Sequence, residues 1–195
     1  KSRLQMRFQS AGHTTAALRA LSYLSPLSKL KDMTAGIEYF EVIKRLEENF
    51  EDEKEVLIAN LHKLTKVLFR ADNMMVSYTA AREGLEGLEG QVLEVKKHLF
   101  TDEVSQEPCL IYPQKRNEGF KTSSKVQYVA RVGNFIDEGK EYTGALQILK
   151  VILSYDYLWQ NVRVKGGAYG CMSNFSRLGE GYFMSYRDPN LEKTN

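Results

Sequence analysis

The sequence predicts an α+β fold in which helices pack on an antiparallel or mixed sheet. Toward the N-terminus, apolar residues recur at alternating steps of four and three, which is typical of helices with one buried face. Beyond residue 120 the pattern becomes strand, helix, strand, strand, and a glycine-rich turn joins the last two strands. Helices packed against a sheet form the layer arrangement of α+β proteins.

Three helices are predicted at the start of the chain, and we expect them to pack together. The first has a weak point at Gly12 and stops at Ser25-Pro26. Asp32 and Asp52 are predicted to cap the second and third helices, and the second runs to about residue 48. The inward face of the third helix is predicted to hold Leu57, Leu61, Leu64 and Leu68.

A β-like run, MMVSYTA (74–80), and a fourth helix over residues 82–100 follow. Gly84, Gly87 and Gly90 weaken that helix by roughly 1 kcal/mol each relative to alanine. Residues 101–123 are rich in Pro, Gly, Ser and charge, a composition typical of a connection between two units. We therefore place a boundary near residues 105–120.

The C-terminal unit is predicted to contain three strands and one long helix. Its elements are a strand at 124–133, a helix at 141–164, and strands at 168–176 and 181–187. The chain begins without methionine inside a helical pattern, and Asp188-Pro189 predicts the start of another helix near its end. We therefore expect a piece of a longer polypeptide.

Composition excludes several classes of function. Hydrophobic residues at 43% and charged residues at 27% describe an ordinary globular protein, and no apolar run is long enough to span a membrane, so we expect no membrane partner. The net charge of +2 is spread along the chain, which argues against nucleic acid as a partner. Cys109 and Cys171 do not indicate a disulfide framework. We expect a cytoplasmic protein, or an organellar one if the source is eukaryotic.

Neither a metal site nor a nucleophile can be identified in the sequence. His13, His62 and His98 each lack a second ligand at helical spacing, so we interpret all three as packing or surface residues. No G-x-S-x-G motif is present, and neither cysteine has a neighbour that would lower its pKa. The GGAYG loop follows a helix and precedes a strand, the reverse of a phosphate-binding loop.

The run RVKGGAYG places Arg163 and Tyr169 on either side of Gly166 and Gly167. One interpretation is structural, with a basic residue in the last helical turn, a left-handed glycine cap and an ordinary strand tyrosine. The other is functional: the corner points the guanidinium and the phenol to the same side, where both can donate to one carbonyl oxygen. Such donors stabilise the oxyanion that forms when an amide is hydrolysed.

At these residues the sequence resembles a known family. The run LWQNVRVKGGAYGCMS, followed by GYFMSYRDPN, resembles the C-terminal half of the inverzincin zinc peptidases of the insulinase (pitrilysin) type, in the branch of presequence protease. The stretch that starts at SAGHTTAALRALSYL is similar to the helical region before the last domain of that branch. The resemblance covers almost the whole chain.

The resemblance implies a large peptidase whose two halves close around an unstructured peptide. Zinc is expected on the N-terminal half, held by H-x-x-E-H and a distant Glu, and this chain has no such motif. Arg163 and Tyr169 are the expected catalytic and substrate-binding residues, with Gly166 and Gly167 also at the substrate.

The resemblance also assigns residues 1–104 to the end of a third domain, 105–120 to a linker and 121–195 to the start of a fourth. The expected partners are the peptide and the N-terminal half of the same polypeptide. Without that half, the chain should bind no catalytic zinc and cleave nothing.

Two other functions stay open at this point. One is a non-catalytic homologue that acts as a structural or peptide-holding partner, which the absence of H-x-x-E-H from the parent would indicate. The other is a free-standing α+β binding module, and the interrupted ends argue against it.

Overall fold

A computed structural model describes residues 1–105 and 108–194, in two compact units. One unit joins residues 1–45 to the chain from residue 110 onward, and the other covers residues 46–109. The first unit has an α+β architecture, which confirms the predicted fold class. Its grouping differs from a division at 105–120, because α2 (Gly12–Leu21) packs against the sheet formed by the C-terminal residues. The assignment of 1–104, 105–120 and 121–195 to parent domains stays a prediction.

The N-terminal helices are shorter than predicted. The first predicted helix is two, α1 (Ser2–Ser10) and α2, with the break at Ala11. Gly12 follows the break because a Cβ there would collide with the ring of Tyr128. Pro26 starts α3 (Pro26–Ala35), and the Ser25 hydroxyl caps it by accepting from the Ser28 amide at 3.2 Å.

Asp32 does not begin the next helix, as the sequence predicted. It lies inside α3 and is fully buried, and α4 (Ile37–Glu48) starts five residues later. Its Oδ1 nevertheless accepts a hydrogen bond from the Ile37 amide at 2.9 Å. Asp32 therefore satisfies the first turn of α4 from within the preceding helix.

The second unit contains α5 (Phe50–Leu68), a 3₁₀ turn (Arg82–Gly84) and α6 (Leu85–Lys97). Asn49, and not Asp52, occupies the N-cap position of α5. Residues 74–80 form no strand in the described structure, because this unit contains only an isolated bridge between Arg70 and Phe100 and no ladder to join. The face predicted to be inward is open, with Leu61, Leu64 and Leu68 all exposed.

Three antiparallel strands form the sheet of the first unit, in the order β1-β3-β2. They are β1 (Ala130–Asn134), β2 (Gly170–Phe175) and β3 (Glu180–Tyr186), with Gly170 opposite Tyr186. The predicted first strand is shortened because the Ser185 hydroxyl accepts from the Val129 amide and interrupts the ladder. Asp188 forms a bridge with Gln127, and no helix follows it within the described residues.

Helices cover both faces of this sheet. His13 of α2 packs on Tyr186, while Ser154 contacts Ser173 at 3.1 Å. Because side chains alternate along a strand, Tyr186 and Ser173 belong to opposite faces. The predicted long helix is α7 (Ala145–Ile152), continued by two π-helical segments, Leu153–Tyr157 and Trp159–Val164. None of the described helices is long and apolar enough to cross a bilayer.

Candidate functional site

The corner after the second π-helical segment depends on both glycines. Gly167 has a φ of +80°, and its amide donates to the Arg163 carbonyl at 2.9 Å, so the left-handed cap predicted for one of the two falls on Gly167. Gly166 has no positive φ, but a Cβ there would collide with the Val162 carbonyl oxygen. The next residue, Ala168, is buried and donates to that same oxygen at 3.2 Å. The corner is therefore a fixed turn.

Residues after β3 close the corner from the other side. Asn190 donates from its side-chain amide to the Gly166 carbonyl at 2.5 Å. Asp188 is fully buried, and its Oδ1 accepts from the Asn190 amide at 2.8 Å. The RVKGGAYG and SYRDPN motifs thus form one structural unit. The backbone groups engaged at Gly166 and Gly167 serve the turn, and the predicted contact of these glycines with substrate stays a prediction.

Arg163 and Tyr169 lie together at this corner. The guanidinium carbon of Arg163 is 5.8 Å from the ring centroid of Tyr169, although one residue ends a helix and the other precedes a strand. The Tyr169 side chain is 65% exposed, so the phenol is open to a ligand. Within the described residues, neither the guanidinium nor the phenol has a hydrogen-bonding or ion-pair partner. Both groups keep their donors available.

Aromatic rings surround the Arg163–Tyr169 pair. The Trp159 ring lies against Arg163, with 4.0 Å between the guanidinium carbon and the ring centroid. On the other side, Tyr186 is 5.8 Å from Tyr169, ring centroid to ring centroid. The Tyr169 amide donates to the Arg187 carbonyl at 3.3 Å. These contacts set the direction of both donors.

Sequence reasoning assigned no role to Trp159 or Arg187. Arg187 has a φ of +48°, the only positive φ outside glycine in the described chain, and its guanidinium carbon is 5.4 Å from the Tyr186 ring centroid. The left-handed conformation of Arg187 leaves no signature in the sequence. The spacing of Trp159 and Arg163 at i and i+4 on a predicted helix was the available signal for the other contact.

His13 and Cys171 border the site without supplying chemistry to it. Burial lowers the pKa of His13, whose ring packs on Tyr186 at 4.7 Å and whose buried Nδ1 has no hydrogen-bond partner in the described structure. Burial also raises the pKa of the Cys171 thiol, and the nearby Arg163 only partly opposes that shift. A thiol with a raised pKa is a poor nucleophile at neutral pH.

The described residues do not provide a zinc site. No group of three or more His, Cys, Asp or Glu side chains within residues 1–105 and 108–194 is arranged to hold a metal ion. His13 belongs to one unit, whereas His62 and His98 belong to the other. The prediction that zinc is held by another part of the polypeptide remains a prediction, and no step through a metal follows from these residues.

The arrangement suits an electron-rich oxygen. Arg163 offers N–H donors that are always charged, and Tyr169 offers one O–H donor. No carboxylate occupies them within the described part of the chain. A peptide carbonyl is a ligand that matches this chemistry, because it accepts hydrogen bonds through two lone pairs and gains negative charge as its carbon is attacked.

Comparisons with known proteins agree with this geometry. Residues 117–195 match the family described as PreP C-terminal domain, and residues 1–46 match a family described as associated with peptidases of family M16, subfamily C. The chain is 37% identical to Protein HypA of Clostridium perfringens over 194 residues, covering 100% of this chain and 20% of that protein.

Presequence proteases are also among the relatives. Presequence protease 1, chloroplastic/mitochondrial, of Arabidopsis thaliana is 29% identical over 201 residues, covering 100% of this chain and 18% of the relative. The mitochondrial presequence protease of Yarrowia lipolytica is 28% identical over 194 residues, covering 94% of this chain and 19% of the relative. The chain thus spans about a fifth of the length of these curated relatives.

Proposed function

Since the chain belongs to the presequence protease family of peptidases, we propose that it is part of a zinc-dependent endopeptidase that degrades unstructured peptides. In this proposal, Arg163 and Tyr169 bind the substrate carbonyl at the bond to be cleaved. The single observation that carries it is the convergence of two donors, both without partners among the described residues, on one exposed corner.

Each donor has a distinct part in the reaction. Arg163 supplies a fixed positive charge, whose attraction for the carbonyl oxygen increases as that oxygen becomes an oxyanion. Tyr169 donates one hydrogen bond from an exposed position, and its backbone is held by the Arg187 carbonyl. Gly166 and Gly167 keep the two groups at a constant separation through the turn. The residues that activate water would lie outside this chain.

A structural or peptide-holding homologue is the second candidate function. The same donors would hold a peptide carbonyl without cleavage if the rest of the polypeptide lacked the zinc motif. The length of the relatives favours the peptidase, because the presequence proteases that this chain matches extend well beyond it. We place the protein in the cytoplasm, or in an organelle if it is eukaryotic, as the names of several relatives indicate for them.

Steady-state kinetics of the full-length polypeptide that contains this sequence tests the proposal. Tyr169→Phe removes only the phenolic O–H, so it is expected to lower kcat by about 100-fold with little change in KM. Arg163→Ala is expected to lower kcat/KM at least as much, because it removes the charged donor. The substrate is an unstructured peptide with a quenched fluorophore.

Tyr155→Phe is the matched control, since Tyr155 is an exposed tyrosine on the same helical stretch. It should leave both constants unchanged. An increase in KM alone for Tyr169→Phe would assign the phenol to peptide docking and favour the peptide-holding function.

A further inference from the structure

We propose that Trp159 is a positioning residue for Arg163, which it holds against the face of its indole ring so that the guanidinium N–H groups point to the substrate carbonyl. The role in turnover rests on the proposed function, whereas the contact itself rests on the structure. Trp159 is the single tryptophan of the chain, and nothing in the sequence patterns assigned it to the site.

The Trp159 contact is the shortest cation–π contact of Arg163. The guanidinium carbon is 4.0 Å from the Trp159 ring centroid and 5.8 Å from that of Tyr169. Both distances are within the range for a cation–π interaction, and tryptophan gives the strongest of these interactions. Arg163 therefore lies between two rings, and the indole is the closer one.

The π-helical segment holds the indole in place. Leu158, directly before it, is 7% exposed and anchors this stretch of helix. Trp159 and Arg163 are four residues apart within the segment Trp159–Val164, so their side chains share one face. The segment ends with the Lys165 amide donating to the Gln160 carbonyl at 3.1 Å, immediately before the glycine corner. Both ends of the segment are thus fixed.

An aromatic ring is better suited to this task than a carboxylate. Arginine has about 2 kcal/mol of side-chain rotamer entropy, so a guanidinium that must meet a substrate in one orientation needs a support. A carboxylate would provide one, but it would occupy the same in-plane N–H groups that the substrate needs. A ring contacts the face of the guanidinium and leaves those N–H groups free.

A double-mutant cycle in the full-length polypeptide tests this role. Trp159→Leu keeps an apolar side chain but removes the ring face, and it should lower kcat about tenfold. Trp159→Phe keeps a ring and should recover part of that loss. In the Arg163→Ala background, Trp159→Leu should cause no further loss, because its effect passes through the guanidinium. Tyr155→Leu, the exposed control on the same helical stretch, should leave kcat unchanged in both backgrounds.

The same tryptophan gives a second measurement that does not depend on turnover. In the 195-residue chain, Arg163→Ala should change the emission of Trp159, whereas Lys165→Ala should not. Losses that simply add in the cycle, or a Trp159 emission insensitive to Arg163→Ala, would overturn the positioning role. If Arg163→Ala leaves turnover intact while the emission changes, the proposed function fails and the contact stands.

Discussion

Gly167 is the residue that allows a helix end and a strand start to present Arg163 and Tyr169 together. Its φ of +80° is one that side-chain-bearing residues adopt at a cost of about 1–2 kcal/mol. A Cβ at Gly167 would make only an ordinary contact, 3.4 Å from Pro189 Cγ, so the backbone conformation sets the cost. Gly166 differs, because there the obstacle is a collision with backbone.

We therefore predict that Gly167→Ala lowers the free energy of unfolding by about 1–2 kcal/mol and keeps the site geometry. Gly166→Ala should cost more and reduce turnover, because the Val162 carbonyl must move and with it the helix end that carries Arg163. Urea unfolding and kcat of both variants check this. The control is Gly133→Ala in β1, where a Cβ meets nothing within 4 Å. Equal losses for the two corner variants would contradict the account.

At the residue scale, the sequence predicted the pair but not its support. The spacing of Arg163 and Tyr169 around two glycines was enough to place both groups on one side of a corner. The contacts of Trp159 and Arg187 were not predictable in the same way. The first depends on a π-helical segment that propensities do not encode, and the second on a left-handed arginine.

At the scale of elements, Arg19 joins the segment after residue 110 to the N-terminal helices. Its Nη1 contacts Asp32 at 2.7 Å and Glu38 at 3.0 Å, and its Nε contacts Glu118 at 2.8 Å. The Arg19 side chain is only 13% exposed. Hydrogen bonds from Arg19 lower the pKa of Glu118, and hydrogen bonds from Lys29 and Arg19 lower the pKa of Glu38 against the opposing effect of burial.

This network predicts a pH dependence of stability. A carboxylate with a lowered folded-state pKa stabilises the fold above its unfolded value of about 4.3, and that contribution is lost as the pH falls through the folded-state pKa. Glu118→Gln should therefore destabilise this unit by about 1 kcal/mol at pH 7 and lose less stability than the unchanged chain on acidification. Urea unfolding followed by Trp159 fluorescence measures both effects. Glu138→Gln, at an exposed turn, is the control; identical acid sensitivity of Glu118→Gln and the unchanged chain would refute the prediction.

Helix existence was predicted well, and helix ends less well. Asp32 illustrates the reason, because its side chain does satisfy the start of α4 but reaches it from inside α3. A local rule identifies the residue type that can cap, and it cannot show that the chain turns back to bring a buried carboxylate there. The strand predicted at 74–80 failed for a similar reason, since a strand needs a partner and the described part of this unit offers none.

At the scale of the whole molecule, the account separates two tasks of a peptidase. This chain supplies donors for the substrate carbonyl, and the water-activating metal is expected on another part of the polypeptide. Its length, about a fifth of that of its relatives, is consistent with such a division.

Incubation of the purified 195-residue chain with a quenched unstructured peptide and added zinc tests this division most directly. We expect the peptide to bind without being cleaved, and the binding to be lost in the Arg163→Ala/Tyr169→Phe double variant. Cleavage by the chain alone that a chelator abolishes would contradict the account, as would peptide binding that the double variant leaves unchanged.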